Sequence, residues 1–246
     1  MLNYVLLLQC LLYMNPNIGL DFDIATQNCF AFYSGTTTRF CNRVCNRLVP
    51  TDSEIVQIKA FFGDIPFTWF VDSADVETLS ILQKNGLKHK ASLPAMILNL
   101  DLFFNRSHSD EVIIKEIDVT GIELEEWILI ASESFHTPQS ELLKAINRLK
   151  QKAAKRLKLY LGFYKGKAAA TCMVIQHQEV VTLHWISTSL EFRNKGIGSI
   201  ITSKLLFDSK ELGFKKAILI SSDLGRHLYE RIGFTQYAAY DIYGNY

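Results

Sequence analysis

The sequence predicts an α/β protein built from two similar halves. Three observations lead to this fold class: a length of 246 residues, patterns that alternate between strand and helix, and a repeated strand–helix–glycine–strand unit. In the C-terminal half, AILISSD leads to the helix pattern LGRHLYERI and Gly233. In the N-terminal half, PFTWFVDSAD leads to VETLSILQKN and Gly86. Hydrophobic residues make up 48% of the chain, which excludes general disorder.

The first apolar segment, residues 2–14, predicts a buried helix that ends before Pro16. A targeting role is the alternative, although the segment has neither a basic start nor a cleavage site, and it is too short to cross a bilayer. After it come a strand in PFTWFVDSAD, a helix in VETLSILQKN and a strand in PAMILNL.

A polar, turn-prone stretch at residues 104–111 predicts the domain boundary, with a first domain at 1–108 and a second at 109–246. The second domain begins with a strand, VIIKEIDV, and two helices, ELEEWILIASESF and SELLKAINRLKQKAA. A hairpin follows and turns at Lys165-Gly166-Lys167. The basic run from Arg148 to Arg156 indicates a solvated face, with a nucleic-acid or acidic-substrate contact as the alternative.

Charge and cysteine content narrow the classes of function. A formal net charge of +1 gives no electrostatic footprint for nucleic acid or an anionic membrane. Five cysteines are an odd number and do not form a disulfide framework, which favours a cytoplasmic location. Cys41 and Cys45 have no second ligand pair nearby, so packing is favoured over zinc, and no metal is predicted.

The most informative segment is Val181–Phe234. A strand, VTLHWISTS, leads into the turn Arg193-Asn194-Lys195-Gly196-Ile197-Gly198, and a helix starts there. Such a turn suits a pyrophosphate, because the first helical N–H groups point outward and glycines let the backbone approach closely. A tight packing turn is the alternative. A third Rossmann glycine would fall at Ile201, and no Walker lysine follows.

The R-x-x-G-x-G turn, followed by a strand and LYERIGF, resembles the GNAT superfamily of N-acetyltransferases. SSDLGRHLYERIGF is similar to a subgroup with a second, degenerate copy of the fold at the N-terminus. The resemblance implies a tandem GNAT-like acyl-CoA N-acyltransferase fold that transfers acetyl from acetyl-coenzyme A to an amine. The first half lacks the glycine turn and has Leu82 where the second has Tyr229. We expect it to complete a substrate cleft or to stabilise the fold.

The resemblance also assigns roles to residues. Tyr229 takes the place of the general acid, and Glu179 and His184 are the candidates for the base. Core packing is the alternative for Tyr229 and His184, and an exposed hairpin position for Glu179. The end of the strand is implied to splay from its neighbour and to pair with the pantetheine arm. The implied cofactor-binding residues are Ile186, Ser187, Thr188, Arg193, Asn194, Lys195, Gly196, Ile197, Gly198, Ser199 and Ser222.

Three positions depart from the family pattern: Leu190, Ser222 and Gly225 stand where proline, asparagine and alanine are frequent. An aminoacyl or long-chain acyl transferase on the same fold is one alternative function. A non-catalytic module that senses acyl-coenzyme A is another. Small amines, antibiotics, peptide N-termini and protein lysines are all compatible acceptors.

Overall fold

The computed structural model describes residues 23–104, 109–118, 120–153 and 156–246, and these form two compact units. The first unit contains residues up to Ala95 together with Gln236–Tyr246, and the second contains Met96–Thr235. The predicted helix at 2–14, Cys10, Lys155 and residues 105–108 of the polar boundary stretch lie outside the described residues.

The first unit is a mixed sheet with two helices. The elements are β1 (Ile24–Ala25), β2 (Cys29–Phe32), β3 (Arg43–Asn46), α1 (Asp52–Phe62), β4 (Thr68–Asp72), α2 (Val76–Lys84), β5 (Lys88–Asn99) and β11 (Thr235–Gly244). The described strands run in the order β1-β2-β3-β4-β11-β5, with β3 parallel to β4 and antiparallel pairs at β1–β2, β2–β3 and β4–β11. The core of this unit includes Ile55, Trp69 and Tyr243.

The second unit contains the remaining elements: β6 (Val112–Ile117), α3 (Ile122–Phe135), α4 (Gln139–Ala153), β7 (Leu157–Tyr164), β8 (Lys167–His177), β9 (Val180–Thr188), α5 (Ile197–Glu211), β10 (Lys216–Ile220) and α6 (Asp223–Ile232). Its described strands run in the order β5-β10-β9-β8-β7-β6. The pair β9–β10 is parallel, and β6–β7, β7–β8 and β8–β9 are antiparallel.

The predicted α/β class is confirmed, and so are the helices and strands predicted for the second domain. The hairpin turns where predicted, because Lys165 and Gly166 both adopt left-handed φ angles of 50° and 80°. Strand β5 begins at Lys88, six residues before Pro94, where the sequence predicts its start. Its residues are divided between the two units. The division into domains 1–108 and 109–246 stays a prediction.

One face of the second sheet holds the core that positions the site. Cys172 and Leu183 on the strands pack with Ile201 of α5 and Tyr229 of α6. On the opposite face, α3 covers β8 and β9, and the indole N–H of Trp127 donates to the Cys172 carbonyl at 3.3 Å. Cys29, Cys41, Cys45 and Cys172 are all buried.

Candidate functional site

The parallel strands β9 and β10 separate after a short paired segment. Their register pairs are Lys216 with Val180, Ala217 with Val181, and Ile218 with Thr182. Beyond Thr182, β9 continues to Thr188 without a register partner on β10. The end of β9 therefore borders a gap in the ladder, on the side away from β8.

A β-bulge interrupts β9 beside this gap. Thr171 of β8 pairs with Ser187, and Met173 pairs with His184, so two residues of β9 lie opposite one residue of β8. The first of the two, Trp185, has a left-handed φ of 50°. Such a conformation is uncommon for a large side chain and turns the following peptide out of the regular pleat.

Two buried hydroxyls hold the bulge. The Thr171 hydroxyl donates to the Trp185 carbonyl at 2.9 Å, and the Thr171 and Ser187 hydroxyl oxygens lie 2.6 Å apart. The peptide that carries the Trp185 carbonyl also carries the Ile186 N–H. Because a trans peptide is planar, its N–H points opposite to its carbonyl. The Ile186 N–H therefore points away from Thr171, toward the side on which β10 no longer pairs.

The turn between β9 and α5 presents backbone N–H groups at the same end of the strand. Asn194 and Gly196 have left-handed φ angles of 64° and 75°, which curl the turn. Gly196 is the N-cap of α5, and no side chain caps this helix. The first N–H groups of α5, from Ile197 to Ser199, therefore face outward with the positive end of the helix dipole. A β-carbon at Gly196 would meet no atom within 4 Å, so the approach is open.

Two cations flank this turn. Arg193 is exposed, and its Nε donates to the Thr188 carbonyl at 3.2 Å, which ties the turn to the end of β9. Lys195 is exposed, and its ammonium group lies 5.6 Å from the centroid of the Tyr164 ring. Both charges can add to the attraction of an anion by the helix terminus.

Gly198 lets three elements meet. A β-carbon there would lie 3.2 Å from Leu228 Cδ1 on α6 and 3.4 Å from Thr188 Oγ1 on β9. The preceding Ile197 is buried in the core and anchors the first turn of α5. The end of β9, the start of α5 and α6 therefore converge around one position.

Tyr229 lies buried on the same face of the sheet. Its ring makes an edge-to-face contact with Phe234 at 5.9 Å. A β-carbon at Gly225 would lie 2.8 Å from its Cε2, so the departure from alanine at position 225 makes room for this ring position. Burial, and to a smaller extent the nearby Cys172 thiol, raises the pKa of Tyr229. Within the described part of the chain, no hydrogen bond to the Tyr229 hydroxyl is found.

The side chain of His184 lies on the other face of β9. Its neighbour Leu183 belongs to the core with Tyr229, and successive strand side chains point to opposite faces. The ring is half-buried, and His184 Nε2 lies 2.8 Å from the Thr182 hydroxyl oxygen. Tyr229 and His184 are thus placed on opposite sides of the strand that ends at the gap.

Glu179 and Ser222 take other positions. Glu179 is exposed in the turn before β9, 3.7 Å from the Lys216 ammonium group. Ile186 lies seven residues after it along the chain, a distance of about 23 Å at strand rise. Ser222 is the N-cap of α6, where its hydroxyl accepts from the Gly225 N–H at 3.3 Å. The structure does not bring Glu179 to the gap.

Two features of the site were not predicted from the sequence. The ring of Phe135, at the end of α3, packs edge-to-face on Trp185 with 4.7 Å between centroids. The pair lies at the bulge on the side of α3. Thr171 is the other feature. The contacts of Phe135 and Thr171 with the bulge join residues that are distant in sequence. The register shift between β8 and β9 that forms the bulge has no characteristic residue pattern.

A cavity of about 730 Å³ opens elsewhere in the second unit. It shares only Ser199 with the predicted cofactor-binding residues and does not include Tyr229. Its walls come from the end of β5 and the segment after it, from α5, from Lys216 and from the end of α6. The site described above therefore lies at the end of the strands and outside this cavity.

Comparison with known proteins agrees with this geometry. The sequence model of the acetyltransferase (GNAT) family matches residues 122–234, a segment that runs from α3 to the start of β11. This segment, just under half of the chain, is similar to the domains of that family. No curated protein matches the chain in sequence.

Solved structures share the GNAT fold over most of the chain. A GCN5-related N-acetyltransferase from Kribbella flavida is 15% identical with a TM-score of 0.71, covering 90% of this chain and 88% of its own. One from Sphaerobacter thermophilus is 13% identical with a TM-score of 0.65, covering 89% and 76%. A tandem GNAT protein from the clavulanic acid biosynthesis pathway is 8% identical with a TM-score of 0.61, covering 82% and 74%. At these identities the likeness concerns the fold.

Neither a metal site nor a membrane span is found in the described ranges. Their His, Cys, Asp and Glu residues do not gather in groups of three or more that could hold a metal ion. Among the helices of the same ranges, none is both long enough and apolar enough to cross a bilayer.

Proposed function

We propose that this protein transfers an acetyl group from acetyl-coenzyme A to the amine of a small molecule, a peptide or a protein. The observation that carries the proposal is a gap in strand pairing beside the end of β9, followed in the chain by the uncapped N-terminus of α5. An extended chain with an anionic end fits such a place, since strand backbone can pair with the chain while helix N–H groups bind the anion.

The turn supplies the pyrophosphate contacts in this proposal. The N–H groups from Asn194 to Ser199 bind the phosphate oxygens, and the cations Arg193 and Lys195 add attraction. The open space at Gly196 supports this role, because it lets a phosphate reach the backbone. The unpaired end of β9, at Ile186, Ser187 and Thr188, pairs with the pantetheine arm.

The same strand end serves the chemistry. The amine nitrogen bonds to the thioester carbonyl carbon, the carbon–sulfur bond breaks, and the sulfur leaves as a thiolate. The Ile186 N–H, which points toward the gap, donates to the carbonyl oxygen as it gains charge. Tyr229 gives its proton to the thiolate and regains one from solvent before the next turnover. Burial raises the pKa of Tyr229, so the phenol carries that proton at neutral pH.

His184 accepts the proton that the amine loses, directly or through a water molecule. Its place on the face opposite Tyr229 supports this role, because the amine and the thiolate then lie on opposite sides of the reacting carbon. Glu179 takes no step in the proposal, because about 23 Å of strand separates it from Ile186. Ser222 remains a proposed cofactor contact through its position at the start of α6.

The proposal extends to the rest of the molecule. The N-terminal half is a degenerate copy of the fold, which the match over most of the chain to a tandem GNAT protein supports. The location is cytoplasmic, where a reducing environment keeps thiols such as Cys29 and Cys172 free. The proposed acetyl transfer uses no metal ion.

Ligand binding and turnover test the proposal together. Acetyl-coenzyme A at about one hundred times its Kd should stabilise the protein by about 2.7 kcal/mol in a thermal-shift measurement. A panel of small amines, peptides with free N-termini and lysine peptides should then release free coenzyme A thiol. Binding without thiol release from any amine would indicate a sensor. A thermal shift with long-chain acyl-coenzyme A alone would indicate a longer-chain transferase. No shift with any acyl-coenzyme A contradicts the proposal.

A further inference from the structure

We propose that Thr171 is a positioning residue for acyl transfer. Its hydroxyl holds the bulge peptide of β9 so that the Ile186 N–H faces the reacting carbonyl. This inference rests on the proposed function, and it adds a residue on β8, the strand on the other side of β9 from the gap. Thr171 acts on the reacting atoms only through the backbone of β9.

The number of hydroxyl protons decides which group donates in each hydrogen bond of Thr171. A hydroxyl has a single proton, and that of Thr171 is directed at the Trp185 carbonyl at 2.9 Å. The contact of 2.6 Å between the two hydroxyls must then have Ser187 as the donor and Thr171 as the acceptor. Thr171 is fully buried and Ser187 is 7% exposed, so water does not replace either bond readily.

The bulge needs such a restraint. Trp185 has a left-handed φ of 50°, a conformation that is energetically unfavourable for a residue with a large side chain. The Thr171 bond captures the carbonyl that this conformation turns out of the ladder. Without it, the Trp185–Ile186 peptide can rotate, and its N–H loses the fixed direction toward the gap. A donor that is not held in place stabilises a developing charge less well than a fixed one.

The decisive comparison is between Thr171→Val, which keeps the shape and removes the hydroxyl, and Thr171→Ser, which keeps the hydroxyl. We expect kcat for acetyl transfer to fall about 10- to 100-fold in Thr171→Val, by analogy with the loss of an oxyanion donor. The KM for acetyl-coenzyme A should stay near the wild-type value, because the turn at α5 is untouched. Thr171→Ser should restore most of kcat.

Thr68→Val is the matched control. Thr68 is as fully buried as Thr171, and its hydroxyl also donates to a backbone carbonyl at 2.9 Å, that of Arg39 in the first unit. Both valine variants therefore lose one buried hydroxyl bond of the same kind. We expect Thr68→Val to lower the melting temperature without lowering kcat. An equal fall of kcat in both valine variants would overturn the positioning role.

The NMR resonance of the Ile186 amide provides a readout apart from turnover, because it depends on the hydrogen bond to the carbonyl of the same peptide. It should shift in Thr171→Val and stay close to its wild-type position in Thr171→Ser and Thr68→Val. Unchanged kcat in Thr171→Val, or an equal loss in Thr171→Ser, overturns the inference. If the wild type acetylates no amine, the proposed function has failed. An unchanged Ile186 amide resonance in Thr171→Val then shows separately that Thr171 does not hold the bulge.

Discussion

At the scale of single residues, the proposed site depends on where small residues leave room. Gly225 lies one helical turn before Tyr229, and the Tyr229 ring occupies the space that a β-carbon at position 225 would need. The buried ring and the hydroxyl thus have a defined place next to Cys172 and Phe234. A proton donor placed this way can serve the leaving thiolate.

Replacing Tyr229 with phenylalanine separates donation from packing. The ring contact with Phe234 remains, and the hydroxyl has no hydrogen-bond partner among the described residues, so folding should survive. We expect kcat to fall about 10²- to 10⁴-fold, the usual loss for a positioned acid, with acetyl-coenzyme A binding unchanged. Steady-state kinetics with a good acceptor measures this. An unaltered kcat and pH profile would show that Tyr229 is a packing residue.

At the scale of elements, α1 shows how a helix start is stabilised in the first unit. Thr51 and Glu54 form a capping box, and the Glu54 carboxylate also accepts from the Asn28 backbone N–H at 2.8 Å. Burial by itself raises the pKa of Glu54, but hydrogen bonds from Thr51, Thr26 and Asn28 outweigh it and lower the pKa to about 2. The carboxylate therefore stabilises the fold in its charged form.

The direction of the pH dependence follows from this lowered pKa. The stability that Glu54 contributes is complete above the unfolded-state pKa of about 4.5 and is lost as the pH falls toward about 2. Glu54→Gln should destabilise the first unit by about 1–2 kcal/mol at neutral pH. The difference from the wild type should shrink at pH 3.

Chemical unfolding at pH 7 and pH 3 measures that difference, and Glu77→Gln is the control. Glu77 is an exposed acid in the first turn of α2. Its substitution should change stability little at either pH. A Glu54→Gln deficit that is as large at pH 3 as at pH 7 would refute the role of the charged carboxylate.

At the scale of the whole molecule, the sequence predicts the second unit better than the first. Strong signals such as Lys165-Gly166 and R-x-x-G-x-G determine local turns, and the turns place the elements that follow them. The first half has short strands, β1 to β3, of two to four residues, and these carry too little periodicity to be predicted.

The long-range contacts of the site could not be predicted from the sequence, because no local residue pattern indicates them. The bulge is centred on Trp185, which is not a residue that signals a left-handed φ. The partners that shape it, Thr171 and Phe135, come from other strands and helices. Positions in the turn at α5 could be predicted, because glycine is required there by the backbone itself.

The central claim is that the N-terminus of α5 binds the pyrophosphate of acetyl-coenzyme A. Gly196→Val tests it, and Gly213→Val is its matched control at the other end of the helix. Both glycines have left-handed φ angles, 75° and 89°, and in both places a β-carbon would meet no atom within 4 Å. The two variants therefore impose similar backbone strain.

Isothermal titration of acetyl-coenzyme A into the wild type, Gly196→Val and Gly213→Val measures the outcome directly. We expect binding to the wild type and to Gly213→Val, and no detectable binding to folded Gly196→Val, because its side chain would occupy the approach of the phosphate. Binding to Gly196→Val with wild-type affinity would contradict the account.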